Sequence, residues 1–220
     1  MKLNQYIDHT VLKATATAQE VMMLCTEART HEFFSVCINS AWVPLAKSLL
    51  ADTSVKVCSV VGFPLGAMSS AAKVFEAKQA VADGADEIDM VINVGALKSG
   101  QGDAVREEIR AIKQAIGERV LKVIIETCYL SNDEKVLACM LALDAGADFV
   151  KTSTGFGTGG ATFEDVQLML DTVDGKASVK ASGGVRDAET AIKYIEMGVM
   201  RLGTSNGIKI VAGETVTGGY

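Results

Sequence analysis

Asp144-Ala145-Gly146-Ala147-Asp148-Phe149-Val150-Lys151-Thr152-Ser153-Thr154-Gly155-Phe156-Gly157 contains the repeating unit of the fold in one stretch. Gly146 stands where a helix ends in a left-handed cap. Asp148–Ser153 then reads as a strand, and the glycines that follow read as a loop. The unit recurs. Ala82-Asp83-Gly84-Ala85-Asp86 precedes one apolar run, and Glu196-Met197-Gly198-Val199 precedes the last. Besides Asp148–Ser153, strands are expected at Tyr6–His9, Ser35–Asn39, Lys56–Val61, Glu87–Val94, Val120–Glu126, Ala177–Ala181 and Met200–Gly203. Helical patterns lie between them at Ala18–Thr30, Ala41–Leu50, Ser70–Ala82, Gly102–Ile116, Asp133–Asp144, Phe163–Thr172 and Asp187–Met197. Such alternation means parallel pairing with right-handed crossovers. Val and Ile at both parities of the strands point to a sheet covered on both faces. Eight units in 220 residues predict a TIM (β/α)8 barrel near the small end of its size range. An open doubly wound sheet is the rival, but no G-x-G-x-x-G follows the first strand. A single domain is expected over residues 1–220, with the glycine-rich 213–220 as a flexible C-terminal tail.

Composition narrows the function classes. With 49% apolar and 22% charged residues the chain can bury a large core. A net charge of -6 and the lack of a basic run argue against nucleic acid as a partner. No apolar run is long enough to span a bilayer, and the polar start Met1–Tyr6 lacks a signal-peptide stretch, so no membrane partner and a cytoplasmic location are expected. Five cysteines without a C-x-x-C pair read as free thiols in a reducing compartment. A homodimer is expected from the commonness of symmetric oligomers.

Two strand runs end in lysine: Phe149-Val150-Lys151 and Ser178-Val179-Lys180. Buried ammonium groups are rare unless paired or functional. On neighbouring strands, two inward lysines come close enough for each to disfavour protonation of the other. One can then become a neutral nucleophile near pH 7 and form an imine with a carbonyl substrate. The alternative is a structural ion pair for either lysine. Asp89, inside Glu87-Ile88-Asp89-Met90-Val91, is costly to bury unless paired or catalytic, and facing the lysines it would be both. Its alternative is a capping or solvent-facing residue, the reading that Asp86 and Glu87 suggest. Asp8, Asn39, Asn93, Glu126 and Ser205 also stand at strand ends, where polarity begins in any barrel. Gly183-Gly184-Val185-Arg186 and Gly203-Thr204-Ser205-Asn206-Gly207 follow the last two strands, where this fold places phosphate. His9 and His31 are the only histidines, leaving little room for a His-rich metal site or a Ser-His-Asp triad.

Ile7-Asp8-His9-Thr10, Gly62-Phe63-Pro64-Leu65-Gly66, Asp86–Val91, Lys151-Thr152-Ser153-Thr154-Gly155 and Lys180–Arg186 together resemble the deoxyribose-phosphate aldolase family, in order across almost the whole chain. The resemblance implies a class I aldolase that works through a lysine Schiff base, with no metal and no cofactor. It implies Lys151 as the Schiff-base lysine, Lys180 as the second lysine and Asp89 as the proton-relay carboxylate. It implies substrate contacts at Asp8, Cys37 and Thr152. Phosphate contacts are implied at Gly155, Gly183, Gly184, Gly203, Ser205 and Asn206. The C-terminal Tyr220 is implied to assist proton transfer. The substrates expected are a phosphosugar and small aldehydes. Ala14 and Ser40 stand where the family often has proline, and Asn206 where serine is frequent; an amide donates hydrogen bonds too. Two other readings are another Schiff-base aldolase for a phosphorylated sugar and a catalytically silent phosphosugar-binding barrel.

Overall fold

Eight parallel strands close into one barrel in the computed structural model, which describes residues 2–214. The strands are β1 (Ile7–Val11), β2 (Ser35–Ile38), β3 (Lys56–Val61), β4 (Glu87–Val91), β5 (Val120–Ile124), β6 (Phe149–Lys151), β7 (Ser178–Ser182) and β8 (Arg201–Thr204). They pair in chain order, and β8 closes on β1. The helices are α1 (Ala18–Thr30), α2 (Val43–Leu49), α3 (Ser70–Ala82), α4 (Val94–Lys98), α5 (Gly102–Ile116), α6 (Asn132–Asp144), α7 (Phe163–Val173), α8 (Ala188–Met197) and α9 (Gly207–Val211). This is the expected single-domain TIM barrel.

Local chemistry sets the element ends. Thr17 with Glu20 and Ser131 with Glu134 form capping boxes that start α1 and α6. Gly146 has φ 85°, the left-handed conformation that ends α6 and turns the chain into β6. Three expected boundaries are corrected. The strand expected over Glu87–Val94 stops at Val91, because Asn93 caps the short helix α4 by accepting from the Ala96 N–H at 3.0 Å. The strand expected to reach Glu126 stops at Ile124, and Glu126 takes φ 55°. The helix expected over Ala41–Leu50 begins as a 3-10 turn at Ser40–Trp42, and the α-helix proper starts at Val43, with Pro44 in its first turn.

The barrel's two faces differ in kind. Outward residues such as Ile38, Val57, Ile88, Met90, Leu121, Val123, Val150, Val179 and Leu202 pack beneath the helices in one continuous apolar core. Buried among them is a charged pair, Lys73 of α3 and Glu108 of α5, at 2.7 Å. The inward face carries a small apolar cluster, Leu12, Cys37, Cys58 and Val60, and Val91 and Ile124 share the inward parity of Asp89 and Lys122. Its other buried residues include the polar Asp8, Ser35, Glu87, Asp89, Lys122, Lys151, Lys180 and Arg201. TIM barrels usually fill this space with branched apolar side chains. Here it is filled largely by charge.

Candidate active site

Register brings the two expected lysines side by side. Lys151 on β6 pairs directly with Lys180 on β7. Asp89 on β4 reaches both: its Oδ2 accepts from Lys151 Nζ at 2.8 Å and from Lys180 Nζ at 2.8 Å. The other carboxylate oxygen, Oδ1, accepts from Lys122 Nζ at 2.8 Å and from the Cys58 thiol at 3.1 Å. Lys122 is the residue of β5 in register with Asp89. Asp89 is thus not a solvent-facing or capping residue; it is the hub of a buried ionic cluster.

The cluster extends to the bottom of the barrel. Lys180 also bonds Asp8 of β1, and Arg201 of β8 bonds both Asp8 and Glu87. Glu87 returns to Lys122 at 2.6 Å, which closes the circuit. Ser35 donates to Asp8 at 2.7 Å, and the Arg201 guanidinium lies 3.4 Å above the Phe34 ring. The solvent-facing reading of Glu87 is therefore corrected: it is buried between an ammonium and a guanidinium, whereas Asp86 beside it binds Lys47 at the surface.

Burial disfavours every charge in this space, and opposite charges more than compensate. Burial would raise Asp89, yet Lys122, Lys151 and Lys180 hold it well below the usual carboxylate range. Asp8, against the same burial, is likewise lowered by Lys180 and Arg201. Burial would lower Lys180 and Lys122, yet their carboxylate partners hold both above the ordinary lysine value. Lys180 is a fixed cation.

The loops after β6, β7 and β8 meet in a cavity of about 210 Å³. Gly155, Gly183, Gly184, Gly203, Ser205 and Asn206, all expected to contact phosphate, line it together, with Arg186. The backbone N–H groups of Gly184 and Ser205 donate to no acceptor among the described residues. Gly203 has a second reason to lack a side chain: a Cβ there would stand 2.9 Å from Ser182 Cβ and 3.2 Å from Lys180 Cε.

The remaining candidates are placed as follows. Thr152 Oγ1 donates to the Ser182 carbonyl and accepts from the Ser182 N–H, both at 3.0 Å, so its hydroxyl joins β6 to β7. Asp8 lies beneath Lys180 in the ionic cluster. Cys37 is buried on β2 beside Cys58 of β3. His9 is on the outward face of β1, opposite in parity to Asp8, and bonds Glu27 of α1 at 2.6 Å. Glu126 is buried, receives the Thr154 N–H at 3.1 Å and bonds the Thr154 hydroxyl, fixing the start of the β6–α7 loop; burial pushes its carboxyl up. Tyr220 lies outside the described residues. Among those residues, Cys37, Cys58 and Asp89 form the one group of three whose metal-ligand atoms all lie within 4.8 Å of one another. Three ammonium groups already occupy Asp89, so the trio is a poor cation site.

A barrel with paired lysines on one carboxylate and a glycine-lined cavity beside them has the parts of an imine-forming enzyme for an anionic substrate. The family model described as DeoC/LacD family aldolase matches residues 2–211. The chain belongs to the DeoC/LacD aldolase family. Among relatives of this aldolase, one named deoxyribose-phosphate aldolase from Brevibacillus brevis is 57% identical over 221 residues, covering 100% of both chains. A protein of the same name from Streptococcus uberis is 55% identical, again over 100% of both. A solved structure titled as a tetrameric deoxyribose phosphate aldolase from Aeropyrum pernix superposes with a TM-score of 0.87 at 32% identity, covering 96% of this chain and 89% of that one.

Three members of the aldolase's ionic cluster escaped the sequence reading: Lys122, Glu87 and Arg201. Lys122 carried a readable signal, a lysine inside the apolar run Val120-Leu121-Lys122-Val123-Ile124. Arg201 carried none, since its partner Asp8 is 193 residues away.

Proposed function

We propose that this chain is a 2-deoxy-D-ribose-5-phosphate aldolase, cleaving its substrate reversibly to D-glyceraldehyde 3-phosphate and acetaldehyde through a Schiff base on Lys151. The observation that carries the residue assignment is the sharing of Asp89 by Lys151 and Lys180 at the mouth end of β6 and β7. Four basic side chains share three carboxylates in the cluster, leaving one cation in excess when all are ionised. Lys122 and Lys180 each bond two carboxylates, and Lys151 bonds one. Lys151 is the amine least tied to the cluster, which supports it as the nucleophile.

The reaction then runs as follows. The free amine of Lys151 adds to C1 of the open-chain aldehyde, and loss of water gives an iminium. The iminium draws electrons from the C2–C3 bond. The C3 hydroxyl proton leaves through water to Asp89. Held well below the usual carboxylate range, Asp89 does not keep that proton but passes it on, so it serves as a relay and not a terminal base. Glyceraldehyde phosphate departs, the enamine is protonated at C2, and hydrolysis frees acetaldehyde. Lys180 keeps the cluster positive throughout. The phosphate sits in the glycine-lined cavity, held by free backbone N–H groups and Arg186. Cys37 lines the aldehyde end, while Asp8 and Thr152 serve by holding Lys180 and the β6–β7 joint. Tyr220 assists protonation at C2.

Cytoplasmic location and homodimer formation complete the proposal. No helix among the described residues is long and apolar enough to cross a membrane, and symmetric dimers are the commonest soluble oligomers. The function is tested by incubating purified protein with 2-deoxyribose 5-phosphate and measuring glyceraldehyde 3-phosphate through a coupled reduction. Stoichiometric release of both products is expected. No cleavage of this sugar alongside cleavage of another phosphosugar would reassign the substrate, and binding without any cleavage would make the barrel a silent phosphosugar binder.

A further inference from the structure

Cys37 and Cys58 are the in-register residues of adjacent strands β2 and β3, and both point into the barrel. Their sulfurs lie within 4.8 Å of each other. Neighbouring strands run about 4.8 Å apart, which falls inside the Cα separation that a disulfide spans. All five cysteines are free thiols, but this is the pair that strand register holds side by side with sulfurs facing the reaction space. We infer that Cys37 and Cys58 form a peroxide-reactive pair, a nucleophilic and a resolving thiol, whose oxidation to a disulfide switches off the neighbouring lysine cluster.

The surroundings divide the two roles. The neighbouring Cys58 thiol holds the Cys37 thiol below its ordinary value, with the Lys180 ammonium acting in the same sense, while the Cys58 S–H itself is engaged by Asp89 Oδ1 at 3.1 Å. Burial pushes Cys58 up, and the adjacent Cys37 and the Asp89 charge add to that. Cys37 is therefore the first to react. Its thiolate sulfur attacks one oxygen of hydrogen peroxide, the O–O bond breaks, and the departing hydroxide takes up the thiol proton and leaves as water. Cys37 is now a sulfenic acid, oxidised by two electrons, and the peroxide is reduced. Cys58 then attacks the Cys37 sulfur. Its proton passes by way of Asp89 Oδ1, its hydrogen-bond acceptor at 3.1 Å, to the hydroxyl that leaves as a second water. Lys122 Nζ, 3.4 Å from the Cys58 sulfur, stabilises the thiolate in that step. Both sulfurs are buried, so the oxidant must be as small as peroxide.

The disulfide removes the Cys58 S–H from Asp89 Oδ1, at the hub of the cluster. This effect on activity rests on the catalytic reading given above. The oxidation itself does not, and peptide mapping reads it independently of turnover. The test treats wild type and Cys58→Ala with hydrogen peroxide, blocks free thiols, digests and maps the products by mass. Each protein's residual activity, compared with its own untreated activity, is measured before and after dithiothreitol. Wild type is expected to yield a linked Cys37–Cys58 peptide and to lose at least tenfold in activity, recovered on reduction. Cys58→Ala, lacking the resolving thiol, is expected to accumulate Cys37 sulfinic acid and to stay inactive after reduction. Absence of the linked peptide under oxidation, or equal recovery of both proteins, would overturn the proposal. A linked peptide formed without loss of activity would keep the pair but overturn its role as a switch.

Discussion

Lys151 and Lys180 donate to the same oxygen, Asp89 Oδ2, each from 2.8 Å. Two ammonium groups on one oxygen repel each other, and the carboxylate neutralises only part of that repulsion. Lys180 has a second carboxylate contact, to Asp8, and is held above the ordinary lysine value. Lys151 has the one carboxylate contact, to Asp89.

This arrangement predicts the pH response of a Lys180→Leu variant. Lys180 is held above the ordinary lysine value, so wild type carries its charge across the working range. Removing that cation stabilises a proton on the neighbouring amine, so the acidic limb of the kcat/KM profile moves to higher pH, and the maximum falls. A limb unchanged in position, at whatever height, would show that repulsion by Lys180 does not free the nucleophile.

The loop cavity predicts a contrast between two substitutions. Gly184 lines the cavity with φ 86°, a conformation that a branched side chain does not tolerate, and its N–H has no acceptor among the described residues. Gly184→Val is expected to raise KM for 2-deoxyribose 5-phosphate by more than tenfold. Ser205→Ala, which keeps the backbone donors, is expected to cost only a few fold. Neither is expected to change the efficiency on unphosphorylated deoxyribose by a comparable factor. Equal losses on both sugars would remove the phosphate role from these loops.

Much of this architecture is legible in the sequence, and the illegible part has physical reasons. Lys151 and Lys180 announce themselves because each ends an apolar run. Glu87 does not, because it follows Asp86, a surface residue that caps the ladder by accepting the Val57 N–H at 2.9 Å. A carboxylate at a strand's first position belongs to either class, and only barrel closure brings Arg201 and Lys122 against it. Helix α4 spans only Val94–Lys98, too short for a 3.6-residue period to show, so the run through Val94 read as one strand. Thr152 belongs to the motif shared with the family, but register alone reveals that its hydroxyl is bonded to β7.

Outside the barrel, Lys73 and Glu108 give a stability prediction free of catalysis. Lys73 is buried between α3 and α5, and its ammonium also donates to the Val91 carbonyl at 2.8 Å. Lys73→Met leaves the Glu108 carboxylate without a partner charge and is expected to cost about 3–5 kcal/mol in urea unfolding. Pairing it with Glu108→Leu should recover most of that loss. A double variant no more stable than the single would mean that packing, not the stranded charge, sets the cost.

A Tyr220→Phe variant tests whether proton transfer and imine formation are carried by different groups. Tyr220→Phe is expected to slow exchange of the acetaldehyde methyl protons in deuterated water at least tenfold while leaving imine formation intact. An exchange rate equal to wild type would assign proton delivery at C2 to another group.

The central claim is that Lys151, alone among three buried lysines around Asp89, becomes covalent. Protein incubated with acetaldehyde is reduced with borohydride, digested and mapped by mass. One ethyl adduct on Lys151 is the predicted result, absent from Lys151→Ala. An adduct on Lys180 or Lys122, or none on any lysine of an otherwise active enzyme, would contradict the account.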